Sequence, residues 1–202
     1  MKLIILDRDG TINADRDDFV KSPDEWAPLP GALEAIARLN HAGWHMVLAT
    51  NQSGLGRGLF DMTTLNAIHL KMNQMLAKVG GRIDAVFFCP HAPDDGCSCR
   101  KPMPGLFENI GERYGVQLKD VPAVGDAPRD LQAAASAGCP THLVRTGKGA
   151  RLDDAQIARL CAQFPGTVVH DDLAAFAAYL IRRQRLERGD SGESDTGYGA
   201  SN

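Results

Sequence analysis

The sequence has no apolar run near the ~18–20 residues of a membrane span, so no membrane-crossing helix is expected. Its opening residues do not read as a signal peptide, so no export signal is expected. Lys2 is followed by only Leu3-Ile4-Ile5-Leu6 before Asp7, too short for the apolar centre of a signal peptide. Neither charge sign is in excess. Lys and Arg number 22 and Asp and Glu 25, a formal net charge of −3, which argues against a nucleic-acid scaffold and against an acidic disordered chain. Cysteines are few, five in 202 residues. With no export signal they are expected to stay reduced, as in the cytoplasm. No internal repeat is found. The remaining composition, 44% hydrophobic and 23% charged, is ordinary for a globular protein. One domain is expected over residues 1–186. After Arg185 the chain turns to Gly, Ser, Asp and Glu, and residues 187–202 read as a disordered tail.

Apolar runs alternate with helix-like stretches. Lys2–Leu6, Trp44–Ala49, Ile83–Phe88, Val121–Val124, Thr141–Arg145 and Thr167–Val169 have the near-continuous apolar character of strands buried on both faces. Between and after them, 32–41, 62–79, 105–114, 130–137, 153–163 and 171–185 carry helical periods. This alternation predicts an α/β domain with a parallel sheet and helices on both faces. The intervals Asp7–Thr50 and Asn51–Lys101 are filled by predicted elements, so no cap domain is expected.

Ligands of an open α/β sheet bind beyond the carboxyl ends of its strands. Three strands run into polar clusters there: Asp7-Arg8-Asp9-Gly10-Thr11, Thr50-Asn51-Gln52-Ser53-Gly54, and Gly125-Asp126 with Asp130 following. Each alone can be a turn or a helix cap; all at one edge are harder to explain that way. Converging carboxylates repel each other and resist ionisation. A hard cation removes that problem, and Mg²⁺ favours a few carboxylates with waters and phosphate oxygens. Held by Asp7 and Asp126, it would attract a phosphate. The Thr50 hydroxyl and the amides around Asn51 can donate to that phosphate, and Lys101 can add positive charge. One carboxylate can attack phosphorus while another moves the protons.

A second cluster reads Cys-Pro-His-Ala-Pro-Asp-Asp-Gly-Cys-Ser-Cys over residues 89–99. Cys89, His91, Cys97 and Cys99 make a Cys₃His set, which fits a closed, structural zinc site. Arg100 and Lys101 follow directly, so a metal-fixed loop would hold both toward the substrate. His41, His45, His69, His142 and His170 have no ligand spacing and read as surface or packed residues. Met72 and Met75 suit a helix core. No GxxxxGK[ST] follows Gly54, Gly56 and Gly58, so a nucleotide P-loop is unsupported.

The set DxDGT, Thr-Asn, Lys-Pro and GDxxxD resembles the haloacid dehalogenase superfamily of aspartate-nucleophile phosphatases. The resemblance covers about residues 3–145 and implies a Rossmann-like fold and specific roles. Asp7 would be the nucleophile and Asp9 the general acid/base, with its backbone carbonyl on Mg²⁺. Thr50 and Asn51 would bind the transferring phosphoryl group, Lys101 would neutralise charge, and Asp7 and Asp126 would ligate Mg²⁺. Asp130 would support the site from behind.

The Cys-x-His…Cys-x-Cys-Arg-Lys-Pro loop is similar to a zinc-bearing branch that includes histidinol-phosphate phosphatases and D-glycero-D-manno-heptose 1,7-bisphosphate 7-phosphatases. Thr50-Asn51-Gln52-Ser53-Gly54, the later Arg57-Gly58 pair and the opening DRDGTIN resemble the heptose side of that branch. The resemblance implies removal of the 7-phosphate of a small sugar bisphosphate in nucleotide-activated heptose (lipopolysaccharide core) biosynthesis, by a monomer without nucleic-acid or membrane partners. Arg100 is a candidate clamp for the second phosphate or the sugar; Arg57, Gln52, Ser53 and Gly54, with the loop Asp15-Arg16-Asp17-Asp18, are candidate substrate contacts. The chain departs from its relatives at Ala127, where Lys is common. Arg129 is the nearby basic residue whose direction the sequence does not give. Histidinol phosphate is the alternative substrate, and a zinc-bearing interaction module the non-enzymatic alternative.

Overall fold

Every residue of the first strand, β1 (Lys2–Leu6), is apolar after Lys2, and both faces are used. In the computed structural model, which describes residues 1–189, Ile4 and Leu6 pack into one core and Leu3 and Ile5 into another. This is the period-2 alternation of a strand covered on both sides. The other strands are β2 (Trp44–Asn51), β3 (Ala85–Cys89), β4 (Ala123–Gly125), β5 (Thr141–Val144) and β6 (Val168–His170). They form one sheet of order β3-β2-β1-β4-β5-β6, with every neighbouring pair parallel. The order reverses between β1 and β4, and such a switch point opens a crevice at the strands' carboxyl ends.

The helices are α1 (Ala32–His41), α2 (Ser53–Gly56), α3 (Met62–Lys78), α4 (Gly105–Tyr114), α5 (Pro128–Ser136), α6 (Asp154–Gln163) and α7 (Leu173–Glu187). Caps start several of them: Asp61, Asp153 and Asp172 each accept a bond from a first-turn amide. α1, α3 and α7 cover one face through Ile36, Leu39, Met72 and Phe176. α4 and α5 cover the other through Leu106, Phe107, Ile110, Ala133 and Ala134. His142 and His170 pack against Phe176 and share a hydrogen bond (Nδ1 to Nε2, 3.0 Å). No helix of the described residues is long and apolar enough to cross a membrane, and no separate cap domain stands among them.

The expected elements form, with instructive differences at their ends. β2 runs on to Asn51, so Thr50 and Asn51 belong to the strand rather than to the loop beyond it. β3 begins at Ala85 and ends on Cys89. α5 starts earlier than predicted, at Pro128, a residue suited to a first helical turn because it has no amide proton to leave unpaired. α2 was not expected, since Gly54 and Gly56 disfavour a helix. α7 continues through Glu187, so the compositional tail begins within a helix; residues 190–202 lie outside the described residues.

Candidate active site

β1 and β4 are neighbours, with Leu6 opposite Val124, so the residues just past their ends meet. The Asp7 amide bonds the Val124 carbonyl at 2.9 Å. Asp7, Asp126 and Asp130 offer carboxylate oxygens that all lie within 4.8 Å of one another. Two glycines make this possible. Gly10 and Gly147 have φ of +85° and +52°, and a β-carbon on either would fall 2.0 Å or 2.2 Å from Asp126 Oδ2. The bare backbone is what leaves room for the carboxylate.

Lys101 enters this floor from the loop before α4. It is 1% exposed, and its Nζ lies 2.8 Å from Asp7 and 2.7 Å from Asp130. Its backbone is clasped by the Asn51 side chain, which donates to the Lys101 carbonyl and accepts from its amide, both at 3.0 Å. The Asn51 side chain is thus committed to placing Lys101, and its backbone amide is what remains for a phosphate. Thr50 Oγ1 accepts from Gln52 at 2.9 Å, leaving its own proton to donate.

The electrostatics separate the carboxylates. Burial, with Asp130 nearby, raises Asp7 above its ordinary value although Lys101 opposes this. Asp130 is lowered: burial acts against it, but Lys101 and Arg129 prevail. Asp126 is pushed up to about 8, first by burial and then by the charges of Asp130 and Asp7. Asp9 stands apart. Burial would raise it, but Arg8 wins, joined by bonds from Asn13 and Gln52, and holds Asp9 below its ordinary value. Arg8 Nη2 reaches Asp9 at 2.9 Å, and Asn13 and Gln52 donate at 2.9 Å each.

Mg²⁺ fits this floor. Asp7 Oδ2 and Asp126 Oδ1 are buried without a hydrogen-bond partner, and hard oxygen donors left unpaired are what that ion takes. Asp130 is already spent on Lys101 and the Ala127 amide. Asp9 directs its carboxylate at Arg8, leaving only its carbonyl for the expected metal role.

The raised value of Asp126 gives a pH prediction. The folded, metal-free chain keeps a proton there that the unfolded chain loses, so this residue costs stability increasingly as pH rises from the ordinary carboxylate range toward about 8. In EDTA, Asp126→Asn is expected to gain Tm over wild type between about pH 5 and pH 8, the gain growing with pH. A pH-independent difference would contradict this.

Cys89, His91, Cys97 and Cys99 gather at the end of β3, their ligand atoms within 4.8 Å of one another. His91 Nδ1 is 3.4 Å from Cys89 Sγ and 3.3 Å from Cys99 Sγ, and the Cys89 and Cys97 sulfurs are 3.6 Å apart. Tetrahedral zinc with bonds of about 2.0–2.3 Å needs ligand separations of roughly 3.3–3.8 Å, so the set fits that ion. All the cysteines are free thiols.

Above the carboxylate floor lies a cleft of about 210 Å³. Of the expected substrate contacts, Asp15, Arg16, Asp17, Asn51, Gln52, Ser53, Arg57 and Arg100 line it. Lys101 is instead buried on the floor beside Asp7 and Asp130, and two others do not line it. Asp18 turns to Arg16 and Lys21 in local ion pairs. Gly54 is packed against Phe60, whose ring would sit 2.3 Å from a β-carbon there.

The comparisons agree with this geometry. A family model described as HAD-hyrolase-like matches residues 98–176. The D-glycero-beta-D-manno-heptose-1,7-bisphosphate 7-phosphatase of Bordetella bronchiseptica is 61% identical over 90% of this chain and 99% of its own length. The protein of the same description from Pseudomonas aeruginosa is 48% identical over 89% of this chain and 98% of its own. A crystal structure of D,D-heptose 1,7-bisphosphate phosphatase from B. bronchiseptica, complexed with magnesium and phosphate, has a TM-score of 0.85 at 61% identity, covering 91% of this chain and 99% of that one. The chain belongs to the heptose-bisphosphate phosphatase family of the haloacid dehalogenase superfamily.

For a phosphatase of this family, sequence reasoning left Arg8, Asn13 and Lys148 without a role and gave Gln52 only that of a substrate contact. Arg8 lies between two assigned aspartates, is 0% exposed, and neutralises Asp9. Asn13 and Gln52 orient the same carboxylate. Lys148 donates its backbone amide to Asp126 at 2.6 Å and pairs its side chain with Asp15. The Lys148 amide has no sequence signal, because every residue but proline carries one. Arg8 had one: a charge beside a buried carboxylate needs pairing.

Proposed function

We propose that this chain is a Mg²⁺-dependent phosphatase that removes the 7-phosphate of D-glycero-β-D-manno-heptose 1,7-bisphosphate, in the supply of nucleotide-activated heptose for a surface glycan such as lipopolysaccharide. The observation that carries the reading is the pair of unpartnered, buried oxygens of Asp7 and Asp126 beside a buried Lys101. The identity to the Bordetella and Pseudomonas enzymes supports the substrate and its β anomer.

Asp7 attacks phosphorus in line with the leaving alcohol. The bond from phosphorus to the sugar oxygen breaks as that oxygen takes a proton from Asp9, and a phosphoaspartate forms on Asp7. Resting Asp9 is held ionised by Arg8, and an entering phosphate dianion raises its proton affinity by like charge. Once the alcohol leaves, Asp9 is again a carboxylate and can take a proton from the water that hydrolyses the acyl phosphate. Thr50 donates its hydroxyl, and the Asn51 backbone its amide, to the transferring oxygens. Lys101 offsets charge on Asp7 and the phosphate. Mg²⁺, held by Asp7, Asp126 and the Asp9 carbonyl, would supply further charge neutralisation.

Zinc on Cys89, His91, Cys97 and Cys99 is proposed as structural, since four ligands leave no open position. Action as a monomer is proposed with it. Reduced cysteines and a sugar-phosphate substrate support a cytoplasmic setting. Histidinol phosphate is disfavoured by the cleft itself, whose walls carry Arg57, Arg100 and Arg129 against that substrate's cationic amine.

The test is a side-by-side measurement of kcat/KM for the β- and α-heptose bisphosphates and histidinol phosphate. The β-bisphosphate is expected to exceed histidinol phosphate by about 10²-fold or more. Equal efficiency on the two would remove the substrate assignment.

A further inference from the structure

One side chain of α3 reaches the polar network around Asp9. His69 follows the buried Ile68 on that helix, is half-buried, and its Nε2 lies 3.1 Å from Arg8 Nη1. A guanidinium has donors and no acceptor, so His69 accepts this bond. That fixes its tautomer: the lone pair is on Nε2 and the proton on Nδ1. Burial, with the Arg8 charge beside it, pushes the ring's pKa down to about 4. The imidazole is therefore neutral at neutral pH and keeps the lone pair that Arg8 uses.

The bond matters because of what the other edge of Arg8 holds. Nε and Nη2 reach Asp9 Oδ1 at 3.2 Å and 2.9 Å, and Nη2 reaches Oδ2 at 3.0 Å. His69 takes the opposite corner of the fork. A planar group held at one edge can still rock in its plane; held at two edges it cannot. Arg8 is fully enclosed, and among the described residues Nη1 has no other hydrogen-bond partner. Removing the imidazole leaves a buried donor without an acceptor, which is costly. The guanidinium then turns to find one, and the Asp9 carboxyl moves with it. Asp9 lines the cleft, where its distance from the reacting atoms sets the rate.

We infer that His69 is a positioning residue for proton transfer: through Arg8, it holds the Asp9 carboxyl where it meets the oxygen of the leaving alcohol. The step served is the one in which the bond from phosphorus to the sugar oxygen breaks and that oxygen takes the Asp9 proton. The inference rests on the reading of Asp9 as the general acid and extends it to another element of the fold. His69 itself does not line the cleft, so it acts on the reaction only through Arg8. A residue serving packing alone needs the ring's shape; this role needs its acceptor.

The experiment compares kcat/KM on two leaving groups, the sugar alcohol of β-heptose 1,7-bisphosphate and the phenolate of p-nitrophenyl phosphate, an aryl monophosphate. A sugar alkoxide needs a proton as it leaves, and a nitrophenolate does not. His69→Leu is expected to lose roughly 10- to 30-fold on the sugar phosphate and less than about threefold on the aryl monophosphate. His69→Gln, whose amide oxygen can reach Arg8, is expected to recover most of the loss. His69→Asn stays polar but ends short of Arg8 and should behave as the leucine variant does; it serves if leucine prevents folding. Asp9→Asn is the reference and should show the same dependence on leaving group at larger scale. Equal losses on both substrates in the leucine and asparagine variants, no recovery with glutamine, or unchanged activity in all three would overturn the assignment while Asp9 keeps its role. An Asp9→Asn variant that loses both substrates alike would remove the acid, and with it the reading on which the inference rests.

Discussion

Asp7→Asn is expected to lower kcat by about 10⁴-fold or more while the fold persists. The amide has no lone pair basic enough to attack phosphorus, so no phosphoenzyme can accumulate. Three readouts separate this from the loss of a metal ligand. Acid-quenched enzyme should carry phosphate in wild type and none in the variant. Raising Mg²⁺ should restore part of the activity to Asp126→Asn and none to Asp7→Asn. The melting curve should show an intact protein, because Lys101 retains Asp130 at 2.7 Å. The sign of the stability change follows from the raised affinity of Asp7 for its proton. Above the ordinary carboxylate range, an ionised Asp7 opposes folding, and an amide there does not. The metal-free variant should therefore melt no lower than wild type at neutral pH, and any advantage should shrink as pH falls. Substantial residual turnover would remove Asp7 as nucleophile.

The floor of this site was readable because its residues violate strand chemistry. Asp7 and Asp126 follow apolar strands, where an unpaired carboxylate has no structural use. The zinc-type cluster was readable from spacing alone. The strand and helix bodies were readable where apolar periods dominate, as in β1, α1 and α4. Legibility failed where direction, rather than residue type, decides. Asp15 and Asp18 belong to one charged loop, yet Asp15 faces the cleft while Asp18 closes on Lys21 three residues away. Ser53 and Gly54 are adjacent, yet only Ser53 lines the cleft, because Phe60 covers Gly54. Arg129 depended on where α5 begins, and Pro128 fixed that two residues before the predicted start. Such directions come from packing between distant segments, which a local pattern does not encode.

Removing zinc from the proposed Cys/His site while retaining Mg²⁺ is expected to lower kcat/KM by about 10²-fold, the scale of misplacing a catalytic group by about an ångström. The connection is short. Cys99 is followed by Arg100 and Lys101, and the loop from Cys89 to Cys99 contains only one 3-10 turn, Pro93–Asp95. Without a metal, its four ligand groups are joined only by weak thiol and imidazole contacts of 3.3–3.6 Å. The two basic residues should not respond equally. Lys101 is anchored independently by Asn51 on both backbone sides and by Asp7 and Asp130 on its side chain. Arg100 has only the bond to the His91 carbonyl, and His91 is itself one of the four ligands. Metal loss should therefore raise KM for the bisphosphate more than it lowers kcat, and should affect the monophosphate less. Single Cys97→Ser and Cys99→Ser variants should repeat this pattern with a lower zinc content. Unchanged kcat/KM after verified zinc removal would disconnect the cluster from catalysis. A fall in kcat alone would mean that Asn51 is insufficient and that the metal, through the loop, places Lys101.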